Sequence, residues 1–355
     1  MPASTFEARC IPLAVRSRTV DSLSQLALGA AVGVATLGRR TAVWKAALWG
    51  GIAGTLPDLD VVIDHGDALR NMTGHRGESH ALFWLTLFSP LLAALPALLH
   101  RQRDLFARWW LAIWLALVTH PLLDAMTVYG TRLLLPFSDY PFAVGSVFII
   151  DPLYTVPLLV GVVVALSRRE WRGLRWNQVG LALSTAYLAW SVLAQWHVRE
   201  HAQEALAARG AADVPVLVTP TAFNTVLWRV VALHRDGSYD EGFYSLADNG
   251  RPMRFDRFRG SPDLQRDLAQ LDPVQRLGRF TRGFYKLHER DGRAWITDLR
   301  MGQEPHYTFS FPVARREGGA WAPVVPRNQG SRGDVGRILD WMGERLRGRD
   351  VPPPR

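Results

Sequence analysis

Residues 57–80 read PDLDVVIDHGDALRNMTGHRGESH, a polar stretch wedged between two apolar runs. It carries Asp58, Asp60, Asp64, His65, Asp67, His75, Glu78 and His80. Carboxylates and imidazoles at this density are hard and borderline metal donors, and a membrane boundary has little other use for them. The stretch sets the expectation of a metal centre, and its apolar flanks that of a membrane protein.

Working outward, the average composition describes no ordinary class: 355 residues, 48% hydrophobic, with a formal charge of +9. The averages blend two dissimilar halves. Residues 21–197 contain long runs of Leu, Ala, Val, Trp and Gly, whereas residues 198–355 are charged and rich in Arg. Apolar segments fall at 23–37, 43–56, 80–99, 105–128, 147–166 and 179–196. A helix needs about 20 residues to cross a bilayer, so the first two are short, and their glycines suit close helix packing. The expected fold is mainly α: a polytopic membrane bundle of about six helices over 21–197, followed by a soluble α+β domain over 198–355.

Residues 1–20 are too broken by Pro and charge for a signal peptide. They read as a disordered, dispensable extension, with translation starting at Val20. Cys10 is the single cysteine, which leaves no intramolecular disulfide or thiolate cluster and makes His and carboxylate the credible ligands.

Basic residues cluster at Arg39, Arg40 and Lys45, at Arg101, Arg103 and Arg108, and at Arg168, Arg169, Arg172 and Arg175. By the positive-inside rule these loops are cytoplasmic, which puts the N-terminus, the 57–79 stretch, the 129–146 loop and everything after His197 on the opposite, extracytoplasmic face. Topology thereby accounts for most of the clustered charge, and no nucleic-acid partner is expected.

Beyond Trp196 a helix is expected to run to Gly210, with strands near 225–234, 242–246, 294–300 and 307–313 and a terminal amphipathic helix at 333–346. There are no internal repeats and no nucleotide-binding glycine pattern.

Two further polar groups sit at helix ends that topology puts on the side of the opening stretch. His120 and Asp124 lie four apart, hence on one face of a helix, a spacing that suits two ligands of one ion. Asp151 precedes Pro152. Ionisable groups inside a membrane cost roughly 2.5–3.5 kcal/mol each, and a divalent cation is an economical partner for them. Each residue also has a plainer reading. Asp58 and Asp60 could cap a helix, His75 and His80 could be interfacial, and Asp151 could be an N-cap or support for a ligating His. Arg76 could pair with a substrate anion or hold Asp58 or Glu78. Asp64, His65 and Asp67 read as solvated loop, and His197 with His201 as an exposed polar helix.

As an ordered set, DSLSQLALGAAVG, WGGIAGTLPDLD, HRGESH, HPLLDAMTVYGT and PFSDYPFAVGSVFIIDPLY resemble the membrane-bound, predicted metal-dependent hydrolases related to the LexA-binding inner-membrane proteins. The resemblance covers about residues 21–196. It implies a distant similarity to zinc-dependent phospholipases C and single-strand nucleases, whose His-x-x-x-Asp pair is matched by His120 and Asp124. It also implies that Asp58 or Asp60 is a bridging carboxylate and that His75 and His80 complete the shells. Two departures stand out. Glu78-Ser79-His80-Ala81 replaces the family's more usual Thr-His-Ser text, and Gln25 stands where many members carry a His.

The expected function is hydrolysis of a phosphoester or other ester bond in a lipid-like substrate by a metal-activated water. One or two divalent ions, zinc first with manganese or magnesium as substitutes, would be held by Asp58, Asp60, His75, His80, His120 and Asp124. Arg76 would stabilise the substrate anion and Asp151 would orient a ligand. The competing expectation is a non-catalytic membrane protein with a structural or transport-related metal site and a partner-binding C-terminal domain.

Overall fold

The computed structural model describes residues 14–168 and 171–355. Most of the expected N-terminal extension, residues 1–13, lies outside them, and a helix begins at Ala14 within the remainder. The helical half consists of α1 (Ala14–Leu37), α2 (Val43–Thr55), the short α3 (Ala68–Gly74), α4 (Leu82–Leu99), α5 (Phe106–Met126), α6 (Pro152–Ser167) and α7 (Trp171–Ala207).

The expected six-span polytopic bundle needs correction. Among the described residues, only α4 and the stretch Arg103–Met126 are both long and apolar enough to cross a membrane. The apolar runs of the sequence overstate the helices they make. Pro57 starts a new 3-10 turn directly after α2, which at 13 residues reaches only about 20 Å. Within the apolar run 147–166, Pro152 fixes the first helical turn and Asp151 caps it, so α6 keeps 16 residues, about 24 Å. In α1 the apolar part is confined to Leu23–Leu37, and α7 opens with Arg172, Arg175, Asn177 and Gln178.

Glycine sets how the helices pack. Gly29 and Gly33 of α1 face Gly50 and Gly54 of α2, and the backbones come so close that a Cβ on Gly50 would lie 2.3 Å from the Gly29 carbonyl oxygen. A Cβ on Gly54 would lie 2.7 Å from the carbonyl oxygen of Gln25. Only glycine permits that approach, which locks the end of α2 against α1.

The second half carries two four-stranded antiparallel sheets and one two-stranded one. In the first, β1 (Val216–Pro220), β2 (Leu227–Leu233), β3 (Tyr239–Ser245) and β4 (Phe255–Phe258) are in sequential order. Helices α8 (Pro262–Leu268) and α9 (Asp272–Phe280) follow, then β5 (Tyr285–Arg290), β6 (Arg293–Asp298), β7 (Gly302–Gln303), β8 (His306–Tyr307), β9 (Ser310–Glu317), β10 (Ala320–Pro323) and α10 (Val335–Leu346). The second sheet runs β10-β9-β6-β5, and β7 pairs with β8. The expected strands and terminal helix are present within a few residues of their places.

The two halves share their cores. Helix α7 runs unbroken through the expected boundary at residues 197/198, and its Ala194, Val198, Ala202 and Leu206 pack with Val218, Trp228 and Val230 of the first sheet. Leu69, Met72 and Tyr129 of the helical half join the core of the second sheet with Leu277, Ile296 and Phe311. Arg300, paired with Asp298 at 2.8 Å, donates to the Tyr129 carbonyl at 2.8 Å and so ties the segment after α5 to the sheet.

The glycine contact yields a direct test. Gly50→Val forces the α1 and α2 backbones apart, an overpacking defect of about 1–3 kcal/mol. A lowered thermal midpoint in detergent is the expected reading, and an unchanged one would refute the close contact.

Candidate metal centre

The centre is built from three chain segments that the fold brings to one end of α5. After α2, Pro57 initiates a 3-10 turn, Pro57–Val62, that carries Asp58 and Asp60. A second turn, Glu78–His80, delivers His80 just ahead of α4. His120 and Asp124 stand one turn apart near the end of α5.

Four of these side chains converge. One donor atom each from Asp58, His80, His120 and Asp124 lies within 4.8 Å of every other, so the group could hold a metal ion. The two Nε2 atoms are 3.1 Å apart. His80 Nε2 is 3.5 Å from Asp58 Oδ1 and 3.2 Å from Asp124 Oδ2, and His120 Nε2 is 3.4 and 3.3 Å from the same two oxygens. An ion bound at about 2.0–2.1 Å by four tetrahedral donors would space them about 3.3 Å apart. His80, His120 and Asp124 are buried, whereas the Asp58 side chain is 22% exposed, so solvent reaches the group on the Asp58 side.

The surrounding hydrogen bonds set which atoms face inward. His120 Nδ1 lies 2.6 Å from the Gly54 carbonyl oxygen. A carbonyl only accepts, so the proton sits on Nδ1 and, in the neutral ring, Nε2 turns its lone pair to the cluster. This is where the glycine contact matters: it positions the carbonyl that orients His120. Ser79 Oγ donates to Asp60 Oδ2 at 2.6 Å and is left to accept from His80 Nδ1 at 2.8 Å, which turns His80 Nε2 inward as well. Asp124 Oδ1 accepts from Gln25 Nε2 at 2.9 Å and faces the Arg76 guanidinium at 3.2 Å, while its buried Oδ2 meets no hydrogen-bond donor other than the two imidazole edges.

With two Nε2 atoms 3.1 Å apart, both cannot carry protons. At most one of them does, and the two carboxylate oxygens beside them call for positive charge at the cluster, which that proton or a bound cation could supply. The same demand acts on His80: burial disfavours its charged form, but Asp124, Asp58 and Asp60 outweigh this and push its pKa up to about 10.

The other residues singled out in the sequence are placed as follows. Asp60 faces away from the four donors, with its carboxylate taken by His75 Nδ1 at 2.7 Å, the Arg76 backbone N–H at 3.0 Å and Ser79. His75, partly exposed, meets His80 and Tyr129 edge to face. Arg76 is 2% exposed and adopts a left-handed φ of 61°. Its guanidinium binds Asp124 and Thr127 and lies 5.0 Å above the Tyr129 ring. Asp151 caps α6 through the Leu153 N–H and accepts from the Tyr187 hydroxyl at 2.8 Å. Burial raises its pKa, only partly offset by those bonds. A cavity of about 20 Å³, enough for one or two waters, separates Asp151 from Asp124 and Gln25. Asp67 caps α3, and Asp64 accepts from the Gly66 N–H and from Asn71. Gln25 donates its amide N–H to Asp124 and so orients it. Sequence reasoning missed Ser79, Thr127 and the Gly54 carbonyl. Ser79 was legible as the neighbour of His80, whereas a backbone carbonyl leaves no signal.

Asp60 gives the site an acid limit. Burial raises its pKa, but the His75 and His80 contacts outweigh this and hold it well below the usual 3.8. A depressed carboxylate stabilises the fold in full above the unfolded-state value and loses that contribution as pH falls. Thermal melts of wild type should drop as pH falls below about 4, and Asp60→Asn, less stable at pH 7, should show a shallower drop; parallel acid limbs would contradict this role.

The sequence of the described centre has relatives. Protein YfhP of Bacillus subtilis (strain 168), described as uncharacterized, is 29% identical over 151 residues, which is 41% of this chain and 46% of that protein. The chain thus matches less than half of that relative's length. No solved structure matches it. The YdjM inner membrane protein family matches residues 20–198, half of the chain and the whole span that builds the cluster, and the protein belongs to that family.

Proposed function

We propose that the protein is an inner-membrane, metal-dependent hydrolase acting on a phosphoester or other ester bond of a lipid-like substrate. One divalent ion would be held by Asp58, His80, His120 and Asp124. The observation that carries this reading is the convergence of four donors at near-tetrahedral spacing, with both imidazoles oriented from behind. Two neutral imidazoles and two carboxylates sum to a charge a divalent ion offsets, and imidazole with carboxylate suits zinc ahead of magnesium. Such an ion acidifies water and polarises a phosphoryl or carbonyl oxygen.

The chain's own residues supply the positioning. Arg76 and Gln25 hold Asp124, Gly54 holds His120, and Asp60 holds His80 through Ser79. Asp58 is the donor that substrate and water would reach. Its turn exposes Leu59, Val62 and Ile63, and the start of α4 exposes Phe83 packed edge to face on exposed Phe137. Apolar side chains flanking a polar metal centre favour an amphipathic substrate.

If α4 and α5 cross the membrane as a hairpin, Arg101, Arg103 and Arg108 lie at its turn and the cluster at its open end. The positive-inside rule then places the cluster, and the C-terminal domain with it, on the extracytoplasmic side. A reporter fused after Arg355 should be active outside the cytoplasm, and cytoplasmic activity would invert the topology.

A second reading has an observation in its favour. Four protein donors complete a tetrahedral ion, which is the closed form of a structural site. Metal content and hydrolysis decide between the two. Purified wild type should contain stoichiometric metal and cleave a phospholipid or phosphodiester, and His120→Ala should lose both, with activity down at least a hundredfold. A metal-free wild type would sink the proposal, and metal without hydrolysis across a broad panel would favour the structural site. Because a proton on His80, held up to about 10, competes with the ion, zinc affinity measured against a chelator should rise from pH 6 to pH 9. A flat profile would remove His80 from the donors.

A further inference from the structure

The first sheet of the C-terminal half contains a carboxylate shared by two arginines. Glu241 on β3 is buried, with 1% exposure. Its Oε1 accepts from Arg229 of β2 at 2.7 and 2.8 Å. Its Oε2 is met by the guanidinium of Arg355, which also binds Asp256 at 2.6 Å and the Glu304 carbonyl oxygen at 3.2 Å. The same guanidinium lies 4.8 Å above the Phe258 ring. An open groove of about 510 Å³ surrounds it, lined by Phe255, Asp256, Arg257, Phe258, Glu304 and Pro305, with the Arg257 guanidinium taken by Asp240.

Three side chains at this groove match the properties of a guanidinium. Glu241 and Asp256 accept its fork of N–H donors, and Phe258 takes its flat face. An ammonium could satisfy one carboxylate but not both carboxylates and the ring together. The occupant arrives on Val351–Arg355, VPPPR, a segment whose consecutive prolines favour an extended chain without internal backbone bonds. Trp341 of α10 holds its start by donating to the Val351 carbonyl at 3.1 Å. Without Arg355, Glu241 Oε2 would be a nearly dry carboxylate oxygen at the edge of an open groove, a costly arrangement that selects for another cation.

We propose that this groove is an arginine-recognition pocket. Val351–Arg355 occupies it in cis, and an arginine side chain on a short proline-rich peptide can replace it in trans. The site is independent of the metal centre, so either proposal can fail without the other.

The probe is a fluorescein-labelled Val-Pro-Pro-Pro-Arg peptide, titrated by anisotropy against the full chain in detergent. Arg355→Ala and Arg355→Gln should each bind it at least tenfold more tightly than wild type, whose pocket is filled. Replacing the peptide's arginine by citrulline should abolish binding, lysine should weaken it at least threefold, and adding Asp256→Asn to Arg355→Ala should weaken it at least fivefold. The proposal is overturned if either variant, with wild-type circular dichroism, binds no better than wild type, or if the citrulline peptide binds equally well.

Discussion

Two carboxylates and two imidazole edges meet at one largely dry point, and much of the surrounding structure answers to that single electrostatic demand. Burying Asp58 and Asp124 near one another would be prohibitive without a positive charge between or beside them. Arg76 contributes one such charge to Asp124 from outside the group, at 3.2 Å from Oδ1. It leaves Oδ2 unserved by any ordinary donor, which is the geometry of a carboxylate oriented toward an ion. A proton on one imidazole could bridge some of these contacts, but it makes one strong hydrogen bond along one line. The four donor atoms lie within 4.8 Å of one another, so a single cation could meet all of them at once.

That demand extends into the architecture. The Gly54 carbonyl can orient His120 because α2 ends exactly where the close approach of Gly54 to the Gln25 backbone holds it. Gln25, whose own carbonyl makes that contact, orients Asp124 through its side chain. The α1–α2 contact thus positions a group on each of two donors of α5, and a change in helix spacing would be felt as a change in donor geometry. Short helices follow from the same arrangement: α2 has to stop at Thr55 so that the turn bearing Asp58 and Asp60 can fold under α5.

Much of the centre was legible in the sequence because its chemistry is carried by side chains at regular spacing. His120 and Asp124 are four apart on an apolar helix, and Asp58 and His80 flank a stretch with no apolar excuse for its charges. The division of Asp58 from Asp60 was not legible. Two carboxylates two residues apart look equivalent on paper, and only the curvature of a 3-10 turn sends one to the donors and the other to Ser79 and His75. Gln25 looked like a missing ligand, whereas its amide nitrogen does the work of orienting one. The number of spans failed for a related reason: hydropathy measures how apolar a run is, but Pro57 and the Asp151-Pro152 pair decide how much of that run is helix. Where strands were expected, a run of β-branched and aromatic residues followed by a glycine turn at Gly237 marked the β2–β3 hairpin, because both signals are local in the chain.

The C-terminal half bears on the centre through backbone rather than through donors. Tyr129 is the hinge of that coupling. Its ring lies under the Arg76 guanidinium and packs edge to face on Phe280, its hydroxyl donates to the Met72 carbonyl at 2.7 Å, and its own carbonyl accepts from Arg300. Arg76 reaches Asp124 in a left-handed backbone conformation that a non-glycine residue adopts only when its surroundings impose it. Arg132 supplies part of that constraint by donating its backbone N–H to the Arg76 carbonyl and its guanidinium to the Thr73 carbonyl. The sheet half therefore reaches the strained loop through Tyr129, which Arg300 and Phe280 hold in place. With α7 continuous between the two halves and Tyr129 packed between Arg76 and Phe280, the C-terminal half is coupled to the centre through the segment after α5 rather than by direct contact with a donor.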